Sequence, residues 1–131
     1  MLDDATAAEL RRHWEQGWNG EDLDTIMAPF AADVVFSSPF VPTLAGDPAK
    51  TTISGYDALR SYVDYALRHY PGIRYAVEGI YVGNDTVVLV YTYQSPDGTA
   101  GHGADSMRVD AAGKVAEWRC HYARDLVTKT A

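Results

Sequence analysis

Disulfide pairs, clustered basic residues and long apolar runs are all missing from this sequence, and each absence excludes a class of protein. Cys120 is the single cysteine among 131 residues, so the chain can form no internal disulfide, which fits a reducing cytoplasm. No apolar run approaches the roughly 18 residues that cross a bilayer, so we expect no membrane partner. The first residues, Met-Leu-Asp-Asp, lack the apolar core of a signal peptide. The sequence therefore predicts a cytoplasmic protein.

Positive charge is also scarce. The chain has 11 Lys and Arg residues and 18 Asp and Glu residues, which gives a net charge of -7. Binding of a phosphate backbone needs clustered Lys and Arg, so we expect no nucleic-acid partner. The four histidines lack metal-ligand spacing such as HExxH, and there is no Gly-rich phosphate loop or GxSxG elbow. We therefore expect no metal and no other cofactor.

What the chain does have is helical periodicity in its first half. Thr6-Ala-Ala-Glu9 has the form of a capping box and predicts a first helix beginning near Ala7 and ending at Asn19-Gly20. Its apolar face carries residues spaced by four: Leu10, Trp14 and Trp18. A short second helix, closed near Pro29, is predicted from Leu23, Ile26, Met27 and Phe30. A second capping box at Ser54-Gly-Tyr-Asp57 predicts a third helix that continues to Tyr70.

The second half of the chain changes to a period of two. Residues 73–82, 86–95, 99–109 and 114–122 are predicted strands, and their short connections make neighbours antiparallel. An earlier strand at 34–38 ends at Pro39, and residues 39–53 are predicted to form a long loop at a pocket rim. Helices before an antiparallel meander indicate an α+β fold, and the length suits one domain, 1–131.

The final hairpin places one acid among large aromatic side chains. Asp105 shares a strand face with Met107, and the partner strand carries Trp118, Cys120 and Tyr122 on one face. Glu117, Arg119 and His121 alternate onto the other face. A carboxyl grouped with aromatic rings is the arrangement that shifts a pKa, so this segment is the leading candidate site.

Two stretches resemble the nuclear transport factor 2-like superfamily, which includes ketosteroid isomerases, limonene-epoxide hydrolase and the SnoaL-like polyketide cyclases. Residues 20–40 are similar to the helix-to-strand segment of that group, and residues 105–122 to its final hairpin. The resemblance implies a cone-shaped, cystatin-like α+β fold, in which three helices from the first half pack on a curved and mostly antiparallel sheet. It specifies chemistry weakly, since the superfamily hosts many functions.

The ketosteroid isomerase pattern is only partly kept. Its general-base Asp matches Ser38, its oxyanion-hole Tyr matches Trp14, and its second oxyanion donor, a protonated Asp, matches Asp105. A serine hydroxyl cannot accept a proton from carbon at neutral pH, so the usual isomerase mechanism is rejected.

The hydrolase and cyclase patterns also fail at one position, because an acid that they carry two residues after Trp118 is matched by Cys120. Epoxide hydrolysis in that relative further needs an Arg flanked by acids on a central strand. Here residues 87–93 offer apolar groups, one Thr and two Tyr, so that mechanism is rejected too.

Several candidates remain open. Asp105 is the predicted acid or proton shuttle with Tyr91 and Tyr93 as donors, although each could equally be a core residue. The predicted ligand-binding residues are Trp14, Trp18, Phe36, Ser38, Phe40, Tyr62, Met107, Trp118, Cys120 and Tyr122. We interpret Cys120 as a buried, inert thiol rather than a nucleophile. His102 falls on the opposite face from Asp105 unless Gly101 or Gly103 makes a bulge.

Two functions from different classes fit these residues. The first is a cofactor-free isomerase, cyclase or dehydratase acting on a small hydrophobic, oxygenated substrate. The second is a non-catalytic binding module for a hydrophobic ligand or partner segment. Under both, we expect a homodimer that pairs through the outer sheet face with Glu117, Arg119, His121, His102 and Arg108.

Overall fold

The computed structural model describes residues 1–124, which form an α+β fold with a curved, unclosed six-stranded sheet. The helices are α1 (Asp4–Asn19), α2 (Leu23–Met27), α3 (Val41–Ala45) and α4 (Tyr56–His69). The strands are β1 (Phe30–Ser37), β2 (Thr52–Ser54), β3 (Arg74–Val82), β4 (Thr86–Gln94), β5 (Ala100–Val109) and β6 (Val115–Tyr122). The predicted fold class is confirmed.

The sheet order is β2-β1-β6-β5-β4-β3. The last four strands form the antiparallel meander that the period-two pattern predicts, with turns at each predicted position. β1 pairs parallel with β6, and β2 pairs antiparallel with β1. The first strand therefore joins the end of the meander, which brings Phe36 opposite Trp118.

Both predicted capping boxes are wrong. Asp3 is the N-cap of α1, and its carboxylate accepts the Thr6 N–H at 2.7 Å, so the helix begins three residues before Ala7. Ser54 pairs with Val35 in β2, so Gly55 takes the N-cap of α4 without a side-chain bond. Its φ of 93° is a backbone conformation that favours glycine.

The region between the second and fourth helices also differs from the prediction. Phe30 begins β1 rather than extending α2, because its backbone pairs with Val115. The predicted loop over 39–53 contains α3 and β2. The short helix starts after Phe40 with Pro42 in its first turn and ends at Gly46 in the left-handed conformation. The fold thus has four helices in its described residues where three were expected.

Two polar side chains of α1 bind the backbone of the edge strand β3. The Asn19 amide donates to the Tyr75 carbonyl and accepts the Tyr75 N–H, each at 2.8 Å, and Glu15 accepts the Val77 N–H at 3.0 Å. Backbone groups of an edge strand otherwise lack partners, so these bonds fix α1 against the sheet. They place the Trp14 ring 5.3 Å from the Tyr75 ring.

The core lies between the helices and the inner face of the sheet. Apolar residues from every layer are fully buried there, among them Met27, Val34, Leu59, Leu89 and Trp118. No helix within residues 1–124 is both long and apolar enough to cross a bilayer.

Candidate active site

Asp105 lies in the middle of β5, points into the interior and is only 1% exposed. Its carboxyl group accepts three hydrogen bonds of 2.9 Å. Trp14 and Trp118 donate their indole N–H groups to Oδ2, and the Tyr91 hydroxyl donates to Oδ1. These donors come from α1, β4 and β6, so the acid joins the helical layer to the sheet. The acid-and-aromatic grouping predicted from the hairpin is present.

Strand register explains which side chains meet the acid. Asp105 is opposite Cys120 on β6 and opposite Leu89 on β4, while Tyr91 is opposite Gly103. Tyr91 therefore reaches Asp105 along the diagonal, a distance that suits a long aromatic side chain.

Burial dominates the protonation of Asp105. Desolvation raises the pKa of this carboxyl, while the hydrogen bonds from Trp118, Trp14 and Tyr91 favour the carboxylate and lower it. The effect of desolvation prevails, so the pKa lies above its ordinary value. Burial, with the Asp105 charge second, also raises the pKa of the Tyr91 hydroxyl, which therefore stays protonated.

Cys120 adjoins the Asp105 carboxyl from β6. Burial raises the pKa of its thiol well above the ordinary value, and the nearby Asp105 charge raises it further. A nucleophilic cysteine needs the opposite environment, with a cationic group or a base beside it. His121 lies on the outer face and is exposed, so it supplies no such group. The thiol is free and buried.

A cavity of about 500 Å³ opens beside this cluster, between α1, α4 and the concave face of the sheet. Its volume falls within the range of small-molecule pockets. Aromatic rings form much of the wall: Trp14, Trp18, Phe36, Phe40, Tyr62, Tyr70, Tyr75, Tyr91, Tyr93, Trp118 and Tyr122. Asp105 and Glu21 are the acids of the lining, and the described lining includes no Lys, Arg or His.

Ser38 also lines the cavity and is buried. Its hydroxyl oxygen accepts the Phe40 N–H at 3.2 Å, which stabilises the turn after β1. Burial raises the pKa of Tyr62 to about 12, although a hydrogen bond to Ser38 acts to lower it. Tyr122 interacts with the same serine, and burial raises its pKa as well. This end of the cavity therefore offers neutral hydroxyl groups.

Twelve of the thirteen candidate site residues line the cavity, and Met107 does not. Met107 is fully buried in the core, opposite Trp118 on β6 and Val87 on β4. Tyr93 lines the wall opposite Gly101, four residue pairs away from the Asp105 position.

His102 is exposed on the outer face, since the β4–β5 register runs without a bulge through Gly101 and Gly103. Its imidazole lies 4.0 Å from the Glu78 carboxylate. It has no access to the cavity.

Sequence reasoning missed other residues of the wall. Tyr75 pairs with Tyr93 across β3 and β4 on the same face, so alternation along β3 could have identified it. Thr43 and Leu44 belong to α3, which the sequence pattern did not reveal. Glu21 has a positive φ of 51° and accepts the Gly72 N–H, a contact that follows only from tertiary packing.

Trp18 is the one lining indole whose N–H finds no partner in the described part of the chain. The Nε1 atom is buried, and the ring packs 6.3 Å from Trp118 and 6.0 Å from Tyr75. Trp14, one helical turn earlier, differs in donating to Asp105. Residues 1–124 contain no group of three or more His, Cys, Asp or Glu side chains that could hold a metal ion.

Comparison with known proteins assigns a family to this fold and site. Residues 10–118 match the model of the SnoaL-like domain, so the chain belongs to the SnoaL-like family of the nuclear transport factor 2-like superfamily. No curated protein matches the chain.

Solved structures with the same fold cover nearly the whole chain. A SnoaL-like protein of unknown function from Burkholderia thailandensis is 26% identical, with a TM-score of 0.80 over 94% of this chain and 98% of its own. A nuclear transport factor 2-like protein from Mesorhizobium loti is 23% identical, with a TM-score of 0.74 over 95% and 98%. TerC, co-crystallised with polyporic acid, is 17% identical, with a TM-score of 0.72 over 90% and 92%.

Proposed function

We propose that this protein is a cofactor-independent enzyme of the isomerase, cyclase or dehydratase type. Its substrate would be a small hydrophobic compound with a carbonyl group. The observation that carries the proposal is the Asp105 carboxyl, buried at the wall of an aromatic cavity with the Tyr91 hydroxyl 2.9 Å from Oδ1. Acids with raised pKa values in clefts are characteristic of catalytic sites.

The hydrogen bonds of Asp105 support a role in acid catalysis that acts through Tyr91. Two indole N–H groups occupy Oδ2, so a proton on this carboxyl resides on Oδ1 beside the Tyr91 hydroxyl. The protonated acid can donate to the Tyr91 oxygen, which leaves the Tyr91 O–H free to donate to a substrate carbonyl. Such a bond strengthens as negative charge develops on that oxygen, and this difference accelerates enolisation.

The lining supports an uncharged ligand. The described lining contains no basic side chain, and its acids are Asp105 and Glu21. An anionic substrate would lose hydration there without gaining a cationic partner. The co-crystallisation of TerC with polyporic acid supports a small-molecule ligand for this fold.

Turnover by Asp105→Asn and Tyr91→Phe variants tests the catalytic proposal. A panel of cyclic ketones and polyketide-like enones would first identify a compound that the wild-type protein converts. Removing the titratable proton should then reduce turnover by roughly the 10²–10⁴-fold typical of acid–base catalysis. Unchanged turnover in both folded variants would contradict the acid role.

A non-catalytic binding module is the second candidate, and the identity of Ser38 favours it. Ser38 lines the cavity. By the sequence resemblance it matches the general base of ketosteroid isomerases, and its hydroxyl cannot accept a proton from carbon at neutral pH. Under this alternative, Asp105→Asn should retain ligand affinity, since Asn keeps the shape and one donor. Tight binding of a panel compound with no conversion by the wild-type protein would favour the module.

We further propose that the protein acts as a homodimer in the cytoplasm. The outer sheet face exposes Arg108, Arg119 and His121 beside His102, and Arg119 pairs with Glu117 at 3.0 Å. A face that carries both positive and negative side chains can pair with a second copy of itself across a two-fold axis, which is the commonest symmetry in homo-oligomers. The free thiol of Cys120 fits a reducing compartment.

A further inference from the structure

Two glycines of β5 lie beneath the two tyrosines of β4. Gly103 pairs with Tyr91 and Gly101 pairs with Tyr93, all on the inner face. A Cβ built on Gly103 would lie 2.5 Å from both Cζ and Oη of Tyr91, and one on Gly101 would lie 2.5 Å from Oη of Tyr93. Real Cβ atoms essentially never come within 3.0 Å of such neighbours. The hydroxyl end of each ring therefore occupies the space that a Cβ on the facing glycine would fill.

Backbone conformation does not explain these glycines. Neither has a positive φ, and the β4–β5 register continues through both without a bulge. Glycine also weakens a strand interior relative to residues with side chains. The remaining explanation for glycine at both positions is the space that the tyrosine rings occupy.

We propose that Gly103 is a positioning residue of the site: by lacking a side chain it lets the Tyr91 ring lie over β5 and place its hydroxyl on Oδ1 of Asp105. The diagonal from Tyr91 to Asp105 passes over the Gly103 position. A methyl group there lifts the ring away from the strand and breaks the 2.9 Å bond. The catalytic consequence of this geometry rests on the proposed function of Asp105, while the geometry itself does not.

Gly103→Ala tests this inference, with Gly101→Ala as its matched control. Both substitutions add one methyl group to the same strand face and meet a tyrosine at the same distance, but Tyr93 gives no bond to Asp105. The readout is the pKa of the Asp105 carboxyl, followed by ¹³C NMR of labelled aspartate and assigned with Asp105→Asn. Loss of the Tyr91 bond removes a group that lowers this pKa. The pKa should therefore rise in Gly103→Ala and stay at the wild-type value in Gly101→Ala.

A double-mutant cycle separates positioning from general damage to the fold. Tyr91→Phe should raise the Asp105 pKa as Gly103→Ala does, and adding Gly103→Ala to Tyr91→Phe should raise it no further. Additive shifts, equal shifts in the two glycine variants, or an unchanged pKa in Gly103→Ala would overturn the proposal. A raised pKa without any change in turnover would support it and contradict only the proposed function.

If Gly103→Ala does not fold, a second variant still tests the proposal. The Gly103→Ala, Tyr91→Leu double variant removes the ring that the methyl group meets, so it should recover the native circular dichroism spectrum and cooperative unfolding. Failure of this double variant, with Tyr91→Leu alone folded, would show that position 103 needs glycine for another reason and would overturn the proposal.

Discussion

Trp14 and Trp118 donate their indole N–H groups to one oxygen, Oδ2 of Asp105, each at 2.9 Å. They lie 104 residues apart, on the first helix and the last strand, and converge on an acid that neither adjoins in sequence. A carboxylate oxygen has two lone pairs, so these donors occupy both. Oδ1 is therefore the oxygen at which Asp105 can gain or lose a proton.

Replacing Trp14 by Phe should destabilise the protein more than replacing Trp18. Both substitutions remove an indole N–H from the same helix face, but Trp14→Phe also loses a buried hydrogen bond to Asp105, typically worth about 0.5–1.5 kcal/mol. Trp18→Phe removes an N–H that has no partner within residues 1–124. Urea unfolding measures the difference in free energy, and a larger loss in Trp18→Phe would contradict the assignment.

Stability should depend on pH through Asp105 in a defined direction. Since burial raises the folded-state pKa of this acid, the folded state retains the proton to higher pH than the unfolded state. This group's contribution to stability therefore falls as pH rises from the ordinary value of 3.8 towards the folded-state pKa.

Asp105→Asn isolates that contribution, because its carbonyl can accept both indoles while its amide donates to Tyr91, as the protonated acid would. The variant should gain stability relative to wild type as pH rises through the window, measured by urea unfolding. Carboxyls with lowered pKa values, such as Asp3 and Asp22, are common to both proteins and cancel in the comparison. A difference that stays constant across the window would show that Asp105 titrates normally.

Cys120→Ala should leave ligand binding and turnover nearly intact. The thiol is buried beside Asp105 with a raised pKa, so it contributes volume rather than a thiolate. We expect a loss of stability on the order of 1 kcal/mol for the small cavity. A thiol reagent should label the wild-type protein only as fast as it unfolds, and loss of function in a folded Cys120→Ala variant would restore the nucleophile hypothesis.

Sedimentation at micromolar concentration should give twice the mass of one chain. Arg119→Glu reverses a charge on the outer sheet face and should shift the equilibrium towards monomer. Arg68→Glu reverses another exposed charge, on α4 and away from that face, and should leave the mass unchanged. A monomeric wild-type protein, or equal effects of the two substitutions, would argue against pairing through the sheet.

Local pattern was sufficient for the elements that local physics controls. The spacing of Leu59, Tyr62, Val63 and Ala66 predicts α4, and the alternation around Asp105 and Trp118 predicts which side chains of the last hairpin face inward. Both periods are properties of a single helix or strand, so they appear in one sequence.

Competing local signals misplaced the helix starts. Asp3 and Thr6 are both residue types that cap helices. In the structure the Asp3 carboxylate accepts the Thr6 N–H, so Asp3 is the N-cap. Ser54 resembles a cap until β2 is known to pair with β1, and Phe30 resembles a helix residue until its pairing with Val115 is known. Pairing between segments distant in sequence decides such cases, and no local window contains it.

What the sequence determined by itself was the α+β order of elements and an acid among aromatic residues. Tertiary structure decided that Tyr91 rather than Tyr93 holds Asp105, that both indoles share Oδ2, and that Trp18 has no share in it. Alternation along a strand determines which face of the sheet a side chain lies on. Strand register and the space above Gly103 determine that the Tyr91 hydroxyl contacts Asp105. Register and packing space depend on residues distant in sequence, which come together only when the sheet curves around the helices.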